Sequence, residues 1–213
     1  MSDLHIRPIQ PNQPTDAMAP LRELVNGLTA LVGATQDEPR LLAEGRPLLA
    51  RLLAQDGWLP EAFAAVRPDR YAQYLLHCDP LERFCVVSFV WGPGHGTPVH
   101  DHTVWGLVGI LRGAERCDEF ALQAGQPVAT GGQHLMQRGD IEAVSPRVGD
   151  WHRVSHAGGD AATVSIHVYG ANIGAVRRHR LDATGATLPF VSGYDNTQLP
   201  NLWDRSAVVR ATC

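Results

Sequence analysis

From Arg70 onward the chain is a succession of short β-prone runs cut by turn residues, and this rhythm constrains its fold more than any other feature. The runs cover residues 70–77, 84–91, 103–112, 115–122, 134–137 and 163–169. They are punctuated by Gly92-Pro93-Gly94, Ala124-Gly125, Gly131-Gly132, Gly139-Asp140 and Gly158-Gly159, all turn formers. Strands at this spacing suit a barrel or jelly roll better than alternating helix and strand. The expectation is a mainly β body over about residues 68–178.

The segment before it has a different grammar. Leu21, Leu24, Val25, Leu28 and Leu31 recur at helical spacing, and so do Leu41, Leu42, Leu48, Leu49, Leu52 and Leu53. Two amphipathic N-terminal α-helices are expected, followed by a brief helical turn at Leu59–Phe63, which makes a helical part of about 17–66. The first sixteen residues, crowded with Pro, Gln, Asn and Asp, read as an extended arm. Residues 179–213 read as an irregular tail wrapping the barrel. A length of 213 residues suits one domain spanning the whole chain.

Hydrophobic residues make up 44% and charged residues 19%, enough to fill a core and too little charge for a disordered chain. Net charge is −4 with no long run of Lys and Arg, so neither nucleic acid nor an anionic membrane is expected as partner. A small molecule is the default. The N-terminus shows no basic start followed by an apolar stretch, and the longest apolar runs are strand-sized. Cys78, Cys85, Cys117 and Cys213 lack CxxC or framework spacing; they read as reduced thiols of a cytoplasmic protein, and none as a metal ligand. Oligomeric state is not readable from the sequence.

The richest segment is Gly94-His95-Gly96-Thr97-Pro98-Val99-His100-Asp101-His102. In an extended strand residues i and i+2 face the same side, so His100 and His102 present two imidazoles together while Asp101 points away. His152, about fifty residues further on, falls where a neighbouring strand returns past the first. Neutral imidazoles leave the charge of a divalent metal uncancelled, which welcomes an anionic substrate. They also leave positions for a thiolate and dioxygen side by side. Zinc would offer no redox chemistry, so iron(II), one per chain, is the expected cofactor.

These residues resemble the two motifs of the cupin family. Gly94, His100, His102 and Gly113 match the first, with Gly106 where a metal-binding glutamate is usual. Gly139, Pro146, Gly149 and His152 match the second, with one extra residue before the Pro-Gly part and His156 in place of an asparagine. The resemblance implies a cupin jelly-roll barrel. Within that group the chain is similar to the cysteine dioxygenase type I family over about residues 70–178. Trp91-Gly92-Pro93-Gly94-His95-Gly96 leads into His100-Asp101-His102-Thr103, and Ser165-Ile166-His167-Val168-Tyr169 matches the family's SxHxY.

That similarity implies a thiol dioxygenase, with Tyr169 donating to bound oxygen or substrate, His167 setting its proton and Ser165 orienting His167. Animal members crosslink a cysteine to this tyrosine; Gly106 holds that place here, so no Cys-Tyr thioether is expected. Cysteine-specific members carry an arginine where Gln73 follows Tyr71-Ala72, which implies the branch acting on 3-mercaptopropionate. Tyr71, Gln73 and Arg178 are the expected substrate-binding residues, Arg178 supplying the charge that Gln73 lacks. Trp105 and Trp151, each near a ligand histidine, are expected to pack the barrel wall. L-cysteine as substrate, a non-catalytic ligand-binding cupin, and a zinc hydrolase or isomerase remain as alternatives.

Overall fold

The structure, a computed structural model, describes residues 16–211. The expected N-terminal arm, apart from Asp16, and Cys213 lie outside the described residues. Helix α1 spans Ala19–Ala34 and α2 spans Glu38–Leu53. The Asp37 side chain caps α2 by accepting from the Arg40 N–H at 3.1 Å. The turn expected at Leu59–Phe63 is a 3₁₀ turn, Glu61–Phe63.

Among the described residues ten strands follow: β1 Ala72–Cys78, β2 Cys85–Trp91, β3 Gly106–Arg112, β4 Ala114–Gln123, β5 Gln126–Gln137, β6 Ile141–Val144, β7 His152–His156, β8 Thr163–Tyr169, β9 Arg178–Leu181 and β10 Thr187–Phe190. They form sheets of order β1-β2-β8-β3-β6 and β5-β4-β7, plus the β9-β10 hairpin. A buried cluster drawn from β2, β3, β8 and from Met136 and Val154 joins the two larger sheets face to face. This is the cupin barrel the sequence implied, mainly β with two helices before it.

Side-chain alternation explains how β8 can be buried along its whole length. Val164, Ile166 and Val168 pack with Leu21, Leu28, Leu49 and Leu52 of the helices, on the outer face of the five-stranded sheet. Ser165, His167 and Tyr169 take the other face and point into the barrel. Strand β2 divides likewise, with Val86 and Val90 toward the helices and Val87, Phe89 and Trp91 inside. The helices thus seal one face of the sheet so that the other can be given to a polar site.

Three readings need correction. His100 and His102 lie on an extended connection rather than in a strand, and only His100 makes isolated bridges, to His152 and Arg180. Gly131-Gly132 does not break a strand; it lies inside β5. The tail after Arg178 is not wholly irregular. It forms the β9-β10 hairpin and a short helix, α3 Ser206–Arg210, and between them it covers the free edge of β1. There the Asp195 N–H donates to the Gln73 carbonyl at 2.8 Å and the Gln73 N–H donates to Asp195 Oδ2 at 2.7 Å. An open sheet edge is protected in this way. No helix among the described residues is long and apolar enough to cross a membrane.

Candidate metal centre

Backbone pairing brings the three histidines together. His100 and His152 exchange both main-chain hydrogen bonds, at 3.0 and 3.1 Å, as an antiparallel hydrogen-bonded pair. Their ring centroids lie 4.8 Å apart, and the His102 ring sits 5.0 Å from His100 and 4.8 Å from His152. All three present ligand-type atoms within 4.8 Å of one another.

Which nitrogen each ring offers follows from what its other nitrogen touches. His100 Nδ1 meets the Pro98 carbonyl at 3.1 Å, His102 Nδ1 meets Asp150 Oδ1 at 2.9 Å, and His152 Nδ1 meets Cys117 Sγ at 3.5 Å. The three Nε2 atoms are left for a metal. Burial, reinforced by the neighbouring His102, pushes His100 down to about 3, and burial holds His152 well below its ordinary value. The His100 and His152 rings are thus neutral donors, and the three-imidazole set fits a divalent transition metal with open positions.

Asp150, two residues before His152, gains its role only from the tertiary structure. Its Oδ1 accepts from the His102 N–H and its Oδ2 from the Thr103 N–H, at 2.8 and 2.9 Å. Thr103 has φ of 61°, an uncommon conformation for a β-branched residue, and this carboxylate holds the turn in place. Burial works to raise the Asp150 carboxyl, but the bonds from His102 and Thr103 outweigh it and keep it below the usual range. The negative charge missing from the ligand set is thereby present one hydrogen bond away. Asp150→Asn is expected to weaken metal binding about 10–100-fold, read by competition against a chelator.

Tyr169 stands beside the centre, its ring stacked on His102 with centroids 5.5 Å apart. His167 Nδ1 lies 2.7 Å from the Tyr169 hydroxyl, and His167 Nε2 lies 2.8 Å from Ser165 Oγ. The three side chains therefore form one hydrogen-bonded chain ending at the cavity. Burial raises the Tyr169 phenol well above its ordinary value, so it stays protonated. Gly106 is the register partner of Tyr169, and a Cβ there would meet the phenol ring at 2.8 Å. Cys85 is its partner on the other side, with a thiol pushed up to about 12 by burial.

The cavity over the centre has a volume of about 330 Å³, suited to a small molecule. Tyr71, Gln73 and Arg178 all line it. Tyr71 stacks on Trp91 and Phe89, with centroids at 4.8 and 5.9 Å. Gln73 does not present free donors. Its Nε2 gives one bond to Ser192 Oγ at 3.1 Å and one to the Gly193 carbonyl at 2.9 Å. Arg178 shares that serine, donating from Nη2 at 2.8 Å, and its guanidinium lies 4.6 Å from the Phe190 ring centroid. It is buried, its Nε has no partner, and it forms no ion pair among the described residues. A buried cation without a counter-ion, in a cavity lined by imidazoles and by no carboxylate, is prepared for an anion.

A family profile described as cysteine dioxygenase type I matches residues 54–181 of the chain. The chain belongs to the cysteine dioxygenase type I family. Solved structures similar to it include a double-stranded β-helix protein from Klebsiella pneumoniae, 13% identical with a TM-score of 0.43, covering 61% of this chain and 91% of that one. Another is a cupin 2 domain-containing protein from Halorhodospira halophila, 17% identical with a TM-score of 0.42, covering 57% of this chain and 77% of that one. In this cysteine dioxygenase family member, Trp105 and Trp151 line no part of the cavity. Trp105 packs against the helix-facing core, and Trp151 stacks on His179.

Sequence reasoning missed Asp150, Ser192 and Phe190. Asp150, two residues before a ligand histidine, carried a local signal; the others carried none. It also gave the cysteines no part near a metal, whereas Cys117 supports His152 and lies in a second cluster with His134 and Glu142. His134 there is held between Glu142, at 2.9 Å, and Glu119, at 3.3 Å.

Proposed function

We propose that the chain is a mononuclear non-haem iron(II) thiol dioxygenase converting a small mercapto-carboxylate to its sulfinate, with 3-mercaptopropionate preferred over L-cysteine. The observation that carries this reading is Arg178, buried and without a counter-ion in the cavity over the three histidines. A guanidinium fork matches a carboxylate, and the substrate's acid group supplies the missing charge. Gln73 then acts indirectly, fixing Ser192, to which Arg178 is bonded.

The lining also bears on the choice of thiol. Arg70, Arg178 and Arg180 line the cavity, while no Asp or Glu does. The ammonium of cysteine would enter without an anionic partner and against positive charge, a cost that 3-mercaptopropionate avoids. Iron(II) on His100, His102 and His152 would supply the redox chemistry that joins a thiolate sulfur to dioxygen. Arg178 orients the substrate from its far end, the Tyr71, Phe89 and Trp91 rings exclude water, and Tyr169 offers a protonated phenol at the cavity. No thioether is expected at Tyr169, since Gly106 has no sulfur to give.

The test is oxygen uptake by anaerobically iron-loaded protein given 3-mercaptopropionate or L-cysteine in parallel, with sulfinate quantified. Uptake coupled to sulfinate, with higher kcat/KM for 3-mercaptopropionate, is the expected outcome. Preference for cysteine would overturn the argument from the lining, and no uptake with either thiol would overturn the activity. Tyr169→Phe is expected to keep its metal and lose about a hundredfold in kcat/KM, at the lower end of what a positioned proton donor contributes.

A further inference from the structure

We propose that Cys117, His134 and Glu142 form a second metal site, taking a thiophilic divalent ion such as Zn²⁺, behind the ligand His152. A sulfur of Cys117, a ring nitrogen of His134 and a carboxylate oxygen of Glu142 all lie within 4.8 Å of one another. They come from three strands. Cys117 of β4 is the register partner of His134 of β5, and Glu142 reaches them from β6, at the edge of the five-stranded sheet. Thiolate, imidazole and carboxylate together are donors that Zn²⁺ and Co²⁺ accept, and an ion held by them clips the two larger sheets together.

Bond lengths decide whether an ion fits. A tetrahedral Zn²⁺ with bonds of about 2.0–2.3 Å holds neighbouring donors roughly 3.3–3.8 Å apart. His134 Nε2 and Glu142 Oε2 stand 2.9 Å apart, so they need to part by only a few tenths of an ångström. Each of these side chains is 34% exposed and has room to do so. The other ring nitrogen, Nδ1, faces Glu119 Oε1 at 3.3 Å. With Nε2 on the ion, Nδ1–H donates to Glu119. Asp150 and His102 show the same carboxylate-imidazole arrangement at the first centre.

The surrounding charge suits a cation. A cavity of about 220 Å³ at the cluster is lined by Cys117, Glu119, Glu142 and Asp150, and by no Lys or Arg. It is the inverse of the substrate cavity, which has three arginines and no carboxylate. Burial works to lower the His134 imidazole, but Glu142 and Glu119 outweigh it and hold it above its ordinary value. An ion pair alone accounts for His134 between its two carboxylates. The buried thiol within reach of the same point is what distinguishes a metal site.

On binding, Cys117 releases its proton to water as Sγ gives an electron pair to the ion, and nothing is oxidised. The thiolate then accepts from His152 Nδ1, 3.5 Å away, so the two centres meet through one hydrogen bond. Fe²⁺ binds such donors more weakly than Co²⁺, so the iron that fills the three-histidine centre is not retained here.

The experiment is an anaerobic titration of the full, iron-loaded chain with Co²⁺, followed by absorption. A Co²⁺-thiolate bond gives a near-ultraviolet charge-transfer band that an all-imidazole centre cannot give. The expected result is a saturable band, bleached by excess Zn²⁺ and abolished in Cys117→Ala. In His134→Ala its midpoint is expected to rise at least about tenfold in Co²⁺. No band, or a band that survives Cys117→Ala, overturns the proposal. So does an unchanged midpoint in His134→Ala, which would mean an ion held by the thiol alone. Should Cys117→Ala fail to fold, His134→Ala decides, because that side chain is partly exposed and touches no ligand of the first centre.

Discussion

Arg178→Met is expected to lower kcat/KM for 3-mercaptopropionate by about a hundredfold while making the protein more stable. The two effects have one origin. In the free protein the guanidinium is buried with its Nε unpartnered and no acidic side chain beside it, so Ser192 and the Phe190 ring compensate its desolvation only in part. Methionine fills similar space without charge, and replacing buried ionic groups by packed apolar ones stabilises by roughly 1–4 kcal/mol. With substrate bound the sign reverses, because truncating one partner of a buried, hydrogen-bonded charge pair costs ~2–5 kcal/mol. Thermal denaturation and steady-state kinetics on the same variant check both halves. A simple alkyl thiol without a carboxylate is the control, since its turnover should be unaffected by the substitution. Unchanged kcat/KM for the acid would remove Arg178 from the binding site, and a fall in Tm would mean that the guanidinium is satisfied in the free protein.

His102→Ala is expected to abolish stoichiometric metal binding and take turnover below detection. Two imidazoles remain in that variant, and the vacated position opens onto a buried carboxylate, Asp150, that had oriented the lost ring. The fold should survive. Asp150 keeps its bonds from the main-chain N–H groups of residues 102 and 103, and the backbone pairing of His100 with His152 does not involve the deleted ring. Metal analysis after loading and gel filtration, with circular dichroism as a fold control, gives the answer. Full metal content in a folded variant would mean that the metal sits elsewhere, and the cluster of Cys117, His134 and Glu142 would be the first place to look.

Much of this site was legible in the chain itself because its spacing is local. The SxHxY run needs only a strand to align three polar side chains, and β8 provides it, with apolar residues between them to anchor the other face. The HxH pair was found by the same argument although its segment is not a strand, since an extended connection shares the two-residue alternation that the argument uses. The tail was misread for a corresponding reason. Arg178–Leu181 and Thr187–Phe190 are too short and too polar to show a period, and they become strands by pairing with each other.

Local spacing and composition by themselves pointed to a mainly β barrel behind two helices and to three histidines that could share a metal, and the family resemblance added the tyrosine relay. Only the tertiary structure decided the partners that give those groups their chemistry. Asp150 behind His102 and Ser192 between Gln73 and Arg178 each meet their partners from distant parts of the chain. No period or motif encodes such meetings. They depend on how the sheets close and where the tail lies, and burial then sets whether a carboxyl is ionised, an imidazole neutral or a guanidinium in want of an anion.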